Sequence, residues 1–310
     1  MRFSILGSGF GLYGYLPALI GCGQSVVLPE RYRERFQSRQ ELTRFARQIE
    51  WVTDEVSAVD RASAVVIALR PAEQTDWIKK CIAYPQITRL LLEKPLSAAP
   101  LEALNLQTLL CNSRKLFRIG YTFCNAQWTA RLKDFVAENP DCEINVNWLF
   151  LAHHFRQGMR NWKQFDSAGG GAIRFYGIQL IAMLASLGYC NVSESKSYGR
   201  SADEPERWIA NISGNGLPIC RILIDSRCDT AEFRVLCRSS LGQTKLLADL
   251  RNPFGEDDRE CLADGLDGRV GVLEALVRST LNDAELCPSW YPSVIDLWSK
   301  VEAKNNFCKI

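Results

Sequence analysis

One short apolar run that ends abruptly on charge constrains this chain most. Leu90-Leu91-Leu92 is followed at once by Glu93-Lys94-Pro95-Leu96-Ser97, and such a run reads as a buried strand. Proline cannot donate to a sheet ladder, so Glu93 and Lys94 belong at the strand's carboxyl end. In an open α/β sheet the ligand lies just outside those ends. A lysine there, partly desolvated and beside another cation, has its pKa lowered toward neutrality and can exchange a proton. The plain alternative is a salt-bridged lysine in a strand-to-loop turn.

The residues before this point alternate strand and helix. Arg2-Phe3-Ser4-Ile5-Leu6 reads as a short strand, followed by Gly7-Ser8-Gly9-Phe10-Gly11 and an apolar helix over 12–20. That order is the context of a dinucleotide fingerprint. Gly7 permits the tight turn, and Gly9 lets the backbone approach a pyrophosphate resting on the helix N-terminus. The usual third glycine is missing: Leu12 takes its place and Gly11 lies one residue early. A second strand, 25–28, is closed by Pro29 and brings Glu30 to where a carboxylate meets the adenosine ribose hydroxyls. Arg31 follows directly and suits a 2′-phosphate instead, so NAD and NADP both stay open. A helix over 32–48, a strand over 49–52, a buried strand over 64–69 ending at Arg70-Pro71, and a helix over 76–83 continue the alternation. A helix over 101–110 and a strand over 116–121 complete a parallel, doubly wound unit.

Composition sets the remaining bounds. At 310 residues the chain accommodates two domains with separate cores. A hydrophobic content of 47% and a charged content of 23% are those of an ordinary soluble protein. The net charge of +2, without a basic cluster, gives no electrostatic reason to expect nucleic acid. The 12 cysteines are irregularly spaced with no Cys-x-x-Cys pair, and only 2 histidines could help them, so no metal site is expected. Reduced, mostly buried thiols in a cytoplasmic protein are the better reading. Leu19-Ile20-Gly21-Cys22 imitates a lipoprotein cleavage box, but the segment holds several glycines and Pro17 and divides into strand, loop and helix. No export and no membrane span are expected.

These residues resemble the Gfo/Idh/MocA family of NAD(P)-dependent oxidoreductases. The resemblance rests on the Gly-x-Gly-Phe-Gly turn with Leu16-Pro17-Ala18-Leu19, on the strand ending in Arg70-Pro71, and on Glu93-Lys94-Pro95-Leu96. Gly120-Tyr121, Trp162 and Gly169-Gly170-Gly171-Ala172 extend it over essentially the whole chain. It implies a Rossmann dinucleotide-binding domain over 1–120. It also implies a substrate-binding and oligomerisation α/β domain over 121–310, with an open, mostly antiparallel sheet that forms homo-oligomer contacts. The fold class is thus α/β, a doubly wound parallel sheet plus a second α/β domain. Strands are expected over 142–150, 208–212, 218–224, 231–237 and 244–250, a polar loop from His153 to Trp162, and helices over 269–281 and 291–303.

The resemblance also exposes a departure. After the triple glycine, the family's helix carries an aspartate and, one turn later, a histidine that face the substrate. Here those positions are Phe175 and Gln179, and Tyr15 replaces a common histidine. Phenylalanine cannot hydrogen-bond in that role and glutamine cannot titrate. The candidate catalytic residues are therefore Lys94 as proton relay, Gln179 as a hydrogen-bonding group, His154 folding back from its loop, and Tyr121 as a phenolic donor; Tyr176 is better explained by burial. The candidate cofactor set is Gly7, Gly9, Phe10, Gly11, Leu12, Glu30, Arg31, Leu69, Arg70, Pro71, Glu93 and Lys94. Ile173, Leu180, Leu184 and Leu187 form a core-packing stripe. The leading expectation is hydride transfer to or from a small carbonyl, imine or sugar-derived substrate, sugar nucleotides included. The rival is a catalytically silent dinucleotide-binding relative acting as a binding or regulatory partner. Non-redox chemistry through transient oxidation by tightly held NAD is a third.

Overall fold

The computed structural model describes residues 1–239, 242–254 and 264–310. β1 (Arg2–Leu6) leads through the glycine-rich turn into a π turn (Gly11–Tyr15) and α1 (Leu16–Gly21). β2 (Ser25–Pro29), α2 (Arg33–Gln37), β3 (Ile49–Val52), α3 (Glu55–Asp60), β4 (Ala64–Ile67), α4 (Pro71–Ala83), β5 (Arg89–Leu92), α5 (Pro100–Asn112) and β6 (Leu116–Ile119) follow. These strands form a six-stranded sheet in the order β3-β2-β1-β4-β5-β6, parallel at every pairing. The uninterrupted apolar runs of β4 and β5 have this cause: a parallel sheet is covered on both faces, so neither face needs polar residues. The strand order reverses between β1 and β4, the switch point outside which ligands bind in such sheets.

The single helix expected over 32–48 is broken. A 3-10 turn (Glu30–Tyr32) precedes α2, and a second 3-10 stretch spans Gln40–Gln48. Ser38 Oγ donates to the Arg35 carbonyl at 2.8 Å and Thr43 Oγ1 to that of Gln40 at 2.7 Å. Such local side-chain bonds compete with the α-helical ladder.

In the rest of the chain come α6 (Gln127–Glu138), β7 (Glu143–Leu151), α7 (His153–Arg156), and a π turn (Gly171–Gly177) that runs into α8 (Ile178–Ser186). After these come β8 (Asn191–Gly199), β9 (Pro205–Ser213), β10 (Ile219–Asp225), β11 (Arg227–Arg238), β12 (Thr244–Leu250), α9 (Val270–Asn282), α10 (Tyr291–Ala303) and β13 (Asn305–Lys309). The seven strands of this sheet run β12-β11-β7-β10-β9-β8-β13. β7 with β10 and β8 with β13 are parallel; the remaining pairs are antiparallel. Alternation in β7 buries Ile144, Val146 and Trp148. The opposite face is charged and paired, Arg221 with Glu143 at 2.9 Å and Arg207 with Asp225 at 2.7 Å. β8 has no apolar signal because its inward positions are serines. Ser195 Oγ accepts the Trp208 indole N–H at 3.0 Å, and Ser197 Oγ accepts the Asn305 amide at 2.9 Å. The stretch Asp166–Ser186 is long and apolar enough to cross a membrane by length and composition alone, and 78% of its apolar window is buried inside the protein. A core helix passes the same test.

Two compact units divide the chain. The first comprises 1–96, 105–122 and the described part of 259–288; the second comprises 97–104, the described part of 123–258, and 289–310. The expected division is into 1–120 and 121–310; these units differ from it in placing 97–104 in the second and the described part of 259–288 in the first. Helix α9 belongs to the first unit, where Val270, Leu273, Leu276 and Val277 join a core that includes Leu12, Leu16, Leu19, Val26 and Leu28. Its amphipathic pattern is visible in the sequence, but periodicity does not say which sheet receives the apolar face. Leu273, 0% exposed, measures this assignment: Leu273→Ala should cost about 2–5 kcal/mol in urea unfolding of the first unit. A change within about 0.5 kcal/mol, the surface range, would place α9 outside that core.

Candidate functional site

The carboxyl ends of β1, β4, β5 and β6 come together in the first unit. Gly7 follows β1 at φ +121°, and a Cβ there would stand 2.2 Å from the Ala68 carbonyl oxygen after β4. Only glycine fits so close an approach at that dihedral. Its N–H donates to Tyr32 Oη at 3.0 Å, which ties the turn to the end of β2. A Cβ on Gly9 would meet nothing within 4 Å, so space lies open where the fingerprint requires a pyrophosphate. At Gly11 a Cβ would stand 2.7 Å from Ile5 Cγ2. Gly11 thus serves the close helix–strand packing of the missing third glycine, and its one-residue displacement coincides with the π turn that it opens.

Two members of the candidate cofactor set are otherwise engaged. Leu12 is wholly buried in the core, and its N–H donates to the Gly9 carbonyl at 2.9 Å, so it turns no side chain outward. Phe10 folds back against Tyr13 and Tyr15, with ring centroids 5.3 and 5.5 Å away. The Arg269 guanidinium lies 4.2 Å above the Phe10 ring and is held by Asp267 through two hydrogen bonds of 2.8 Å. At the end of β2, Glu30 pairs with Arg33, whose hydrogen bond holds the carboxyl below its ordinary range, and Arg31 pairs with Glu55. After β4, Leu69 is half-buried, Arg70 exposed and Pro71 buried at the first position of α4.

The Glu93-Lys94 turn is the most tightly built part. Gln74, on α4 and 0% exposed, accepts the Glu93 N–H on Oε1 at 3.0 Å. Its Nε2 donates to the carbonyls of Glu93, Pro95 and Leu96 at 2.7, 3.2 and 3.3 Å. Lys94 is half-buried and joined to Pro95 by a cis peptide bond. The Tyr15 hydroxyl donates to Glu93 Oε1 at 2.7 Å. A Cβ on Gly120 would stand 2.9 Å from both of those oxygens, so glycine there makes room for the bond. Withdrawal from water raises the Glu93 pKa, against the opposing pull of Lys94, the Tyr15 hydroxyl and Arg269. Tyr121 follows, buried, with its N–H on the Ile119 carbonyl at 2.6 Å. Gln74 carries no sequence signal, since a glutamine in an amphipathic helix is ordinary. Arg269 reads only as the start of a helix.

The remaining candidates lie in the second unit. Gln179, 3% exposed, accepts the Phe123 N–H on Oε1 at 3.4 Å. Phe175 packs edge-on to Trp162 at 5.3 Å, with Lys163 Nζ 5.3 Å from its ring centroid. His154 is not on an open loop. It sits on α7, 4% exposed, against Phe155 at 4.3 Å. Burial first, then Lys163 and His153, press its pKa down to about 4, so it is neutral at physiological pH. It borders a cavity of about 290 Å³ lined also by Arg160, Arg200, Glu206 and Arg227. Tyr176 has its phenol pKa raised by burial. Among the described residues no cluster of three or more His, Cys, Asp or Glu side chains is placed to hold a metal.

No family model and no curated protein matches the sequence. Solved structures do match. The 3-ketoreductase KijD10 from Actinomadura kijaniata, in complex with NADP and TDP-benzene, is 14% identical with a TM-score of 0.71, over 100% of this chain and 99% of that one. GenD2 from gentamicin A biosynthesis, in complex with NAD, is 17% identical with a TM-score of 0.72, over 98% and 92%. The chain has the fold of the Gfo/Idh/MocA-type oxidoreductases. That fold also contains a super-repressor mutant of Gal80p from Saccharomyces cerevisiae, 12% identical with a TM-score of 0.71 over 98% and 95%.

Gln74→Leu should cost about 1–3 kcal/mol in chemical denaturation, because it leaves buried carbonyls of the 93–96 turn unpaired; an unchanged midpoint would mean that water replaces the amide. The second expectation is pH dependence. Since the His154 pKa falls from 6.5 to about 4 on folding, the unfolded chain binds more protons between those values. Stability from this residue is complete above pH 6.5 and lost as pH falls toward 4. Asp166, raised to about 6 mainly by burial, acts in the opposite sense over part of that window. The difference between wild type and His154→Gln isolates the histidine, and parallel stability profiles for the two would show it titrating normally.

Proposed function

We propose that this chain is an NAD(P)-dependent oxidoreductase acting on a small carbonyl, imine or sugar-derived substrate. The observation that carries the reading is the construction of the β5 end. A buried glutamine spends its amide on the turn that presents Lys94, beside a glycine turn with open space at Gly9. The Gly7–Gly11 turn would hold the pyrophosphate, and Glu30 or Arg31 the adenosine ribose or its phosphate. A bound nicotinamide dinucleotide supplies or accepts the hydride. Lys94 gives its ammonium proton to the substrate oxygen or nitrogen on reduction and takes it back on oxidation. Gln179 and Tyr121 contribute hydrogen bonds and packing, not proton transfer. Sugar-nucleotide substrates are consistent with the TDP-benzene complex of KijD10. The charged outer face of the seven-stranded sheet is the surface for homo-oligomer contacts, and the thiols suit a cytoplasmic protein.

A second reading has its own support. By the resemblance, Phe175 and Gln179 take the places of the family's aspartate and histidine, and a super-repressor mutant of Gal80p has this fold. A dinucleotide-binding regulatory protein would look the same at the glycine turn. Both readings require cofactor binding, so NAD(H) and NADP(H) are tested first for a rise in melting temperature. Gly9→Asp should abolish the rise by placing bulk and negative charge against the pyrophosphate. Lys94→Ala then separates the readings. It should keep the shift but lower turnover by about two to four orders of magnitude. No shift with any oxidised or reduced form would end the dinucleotide reading. A shift without turnover on any carbonyl, imine or sugar substrate would select the regulatory one.

A further inference from the structure

Away from the site just described, two thiols meet on the first unit. Cys111 Sγ lies 3.8 Å from Cys287 Sγ, across 176 residues of sequence. Cys111 is exposed and Cys287 partly buried. Both are firmly mounted. Cys111 is in the last turn of α5. Cys287 follows a segment hung on the edge strand β6, where the Phe117 N–H donates to the Leu286 carbonyl at 2.8 Å. The buried Arg118 fixes the same segment, with Nη2 on Asp283 at 2.9 Å and on the Glu285 carbonyl at 3.0 Å, and Nη1 on the Leu286 carbonyl at 3.2 Å.

We propose that Cys111 and Cys287 are a modification site, a thiol pair that small disulfides of the glutathione class oxidise to an intramolecular disulfide. The sulfurs are in van der Waals contact, and a bond at about 2.05 Å needs an approach that χ1 rotation of the exposed Cys111 can supply. Cys111 is the thiol a soluble disulfide can reach. Its thiolate attacks one sulfur of oxidised glutathione, forming a mixed disulfide and expelling glutathione thiolate. Cys287 then loses its proton and attacks the Cys111 sulfur, expelling the second glutathione thiolate. The two protein thiols are oxidised and one glutathione disulfide is reduced to two thiols. Cys287 takes the second role by position, as the partly buried sulfur 3.8 Å from Cys111. Burial and the neighbouring Cys111 push its thiol up to about 11, which disfavours its own attack on a soluble disulfide. A link closing a loop of this length constrains the unfolded chain strongly.

The test uses the full chain, reduced and then incubated with oxidised glutathione, quenched by alkylation and digested without reduction. Mass spectrometry should find the Cys111 and Cys287 peptides joined, lighter by two hydrogen atoms than their sum and separated by dithiothreitol. The oxidised protein should melt several degrees higher. Cys111→Ser should lose both the joined peptide and the shift. Cys287→Ser should leave Cys111 as a persistent glutathione adduct, which identifies Cys287 as the resolving thiol. A wild type whose Cys111 remains a glutathione adduct, joins a different cysteine, or is alkylated together with Cys287 would overturn the proposal.

Discussion

The turn that carries Lys94 away from β5 depends on one buried amide. A glutamine withdrawn from water costs roughly 2–7 kcal/mol unless its polar atoms are paired. Gln74 recovers that cost by accepting the Glu93 N–H and donating to three carbonyls of the 93–96 turn. The same bonds fix where Lys94 leaves the sheet. The Tyr15–Glu93 hydrogen bond then sets the acid beside it, and Gly120 leaves room for that bond. A lysine on an unclamped turn would sample many positions, and proton transfer needs one.

The second unit answers to packing instead. Gln179 holds a backbone N–H, Phe175 packs edge-on to Trp162 with Lys163 near its ring, and His154 is buried with its pKa pressed down to about 4. Each makes a contact within its own unit. Under the proposed function Lys94 would be the single proton carrier, and carbonyl or imine reduction needs one proton donor.

The sequence made the parallel sheet legible because β1, β2, β4, β5 and β6 are short apolar runs punctuated by glycine, proline or charge. It also put the glycine turn after β1 and Lys94 after β5, as the strand ends at Leu6 and Leu92 have them. Leu12 misled because a spacing rule assigned it to the cofactor, whereas a π turn lets Gly11 do the third glycine's work and sends Leu12 into the core. β8 escaped because serine hydrogen bonds leave no hydrophobic trace. Helix α9 was visible as a helix but not as a part of the first unit, since amphipathic periodicity names a buried face and not its partner. Gln74 was invisible for a related reason: satisfaction of a buried amide is a property of three-dimensional neighbours.

Fold alone cannot divide an enzyme from a regulator, because a 3-ketoreductase and a super-repressor mutant of Gal80p both match this chain's fold, at 14% and 12% identity to it. The weight falls on local construction. Gln74 and Gly120 are both required where they stand. An apolar side chain at position 74 would leave the N–H and carbonyls of the 93–96 turn unpaired, and a Cβ at position 120 would stand 2.9 Å from two oxygens. Either change would disturb the turn that carries Lys94, and the Gly120 change would also crowd Tyr15 and Glu93. Under the proposed function, that turn would fix the position of the one ammonium group that gives up its proton.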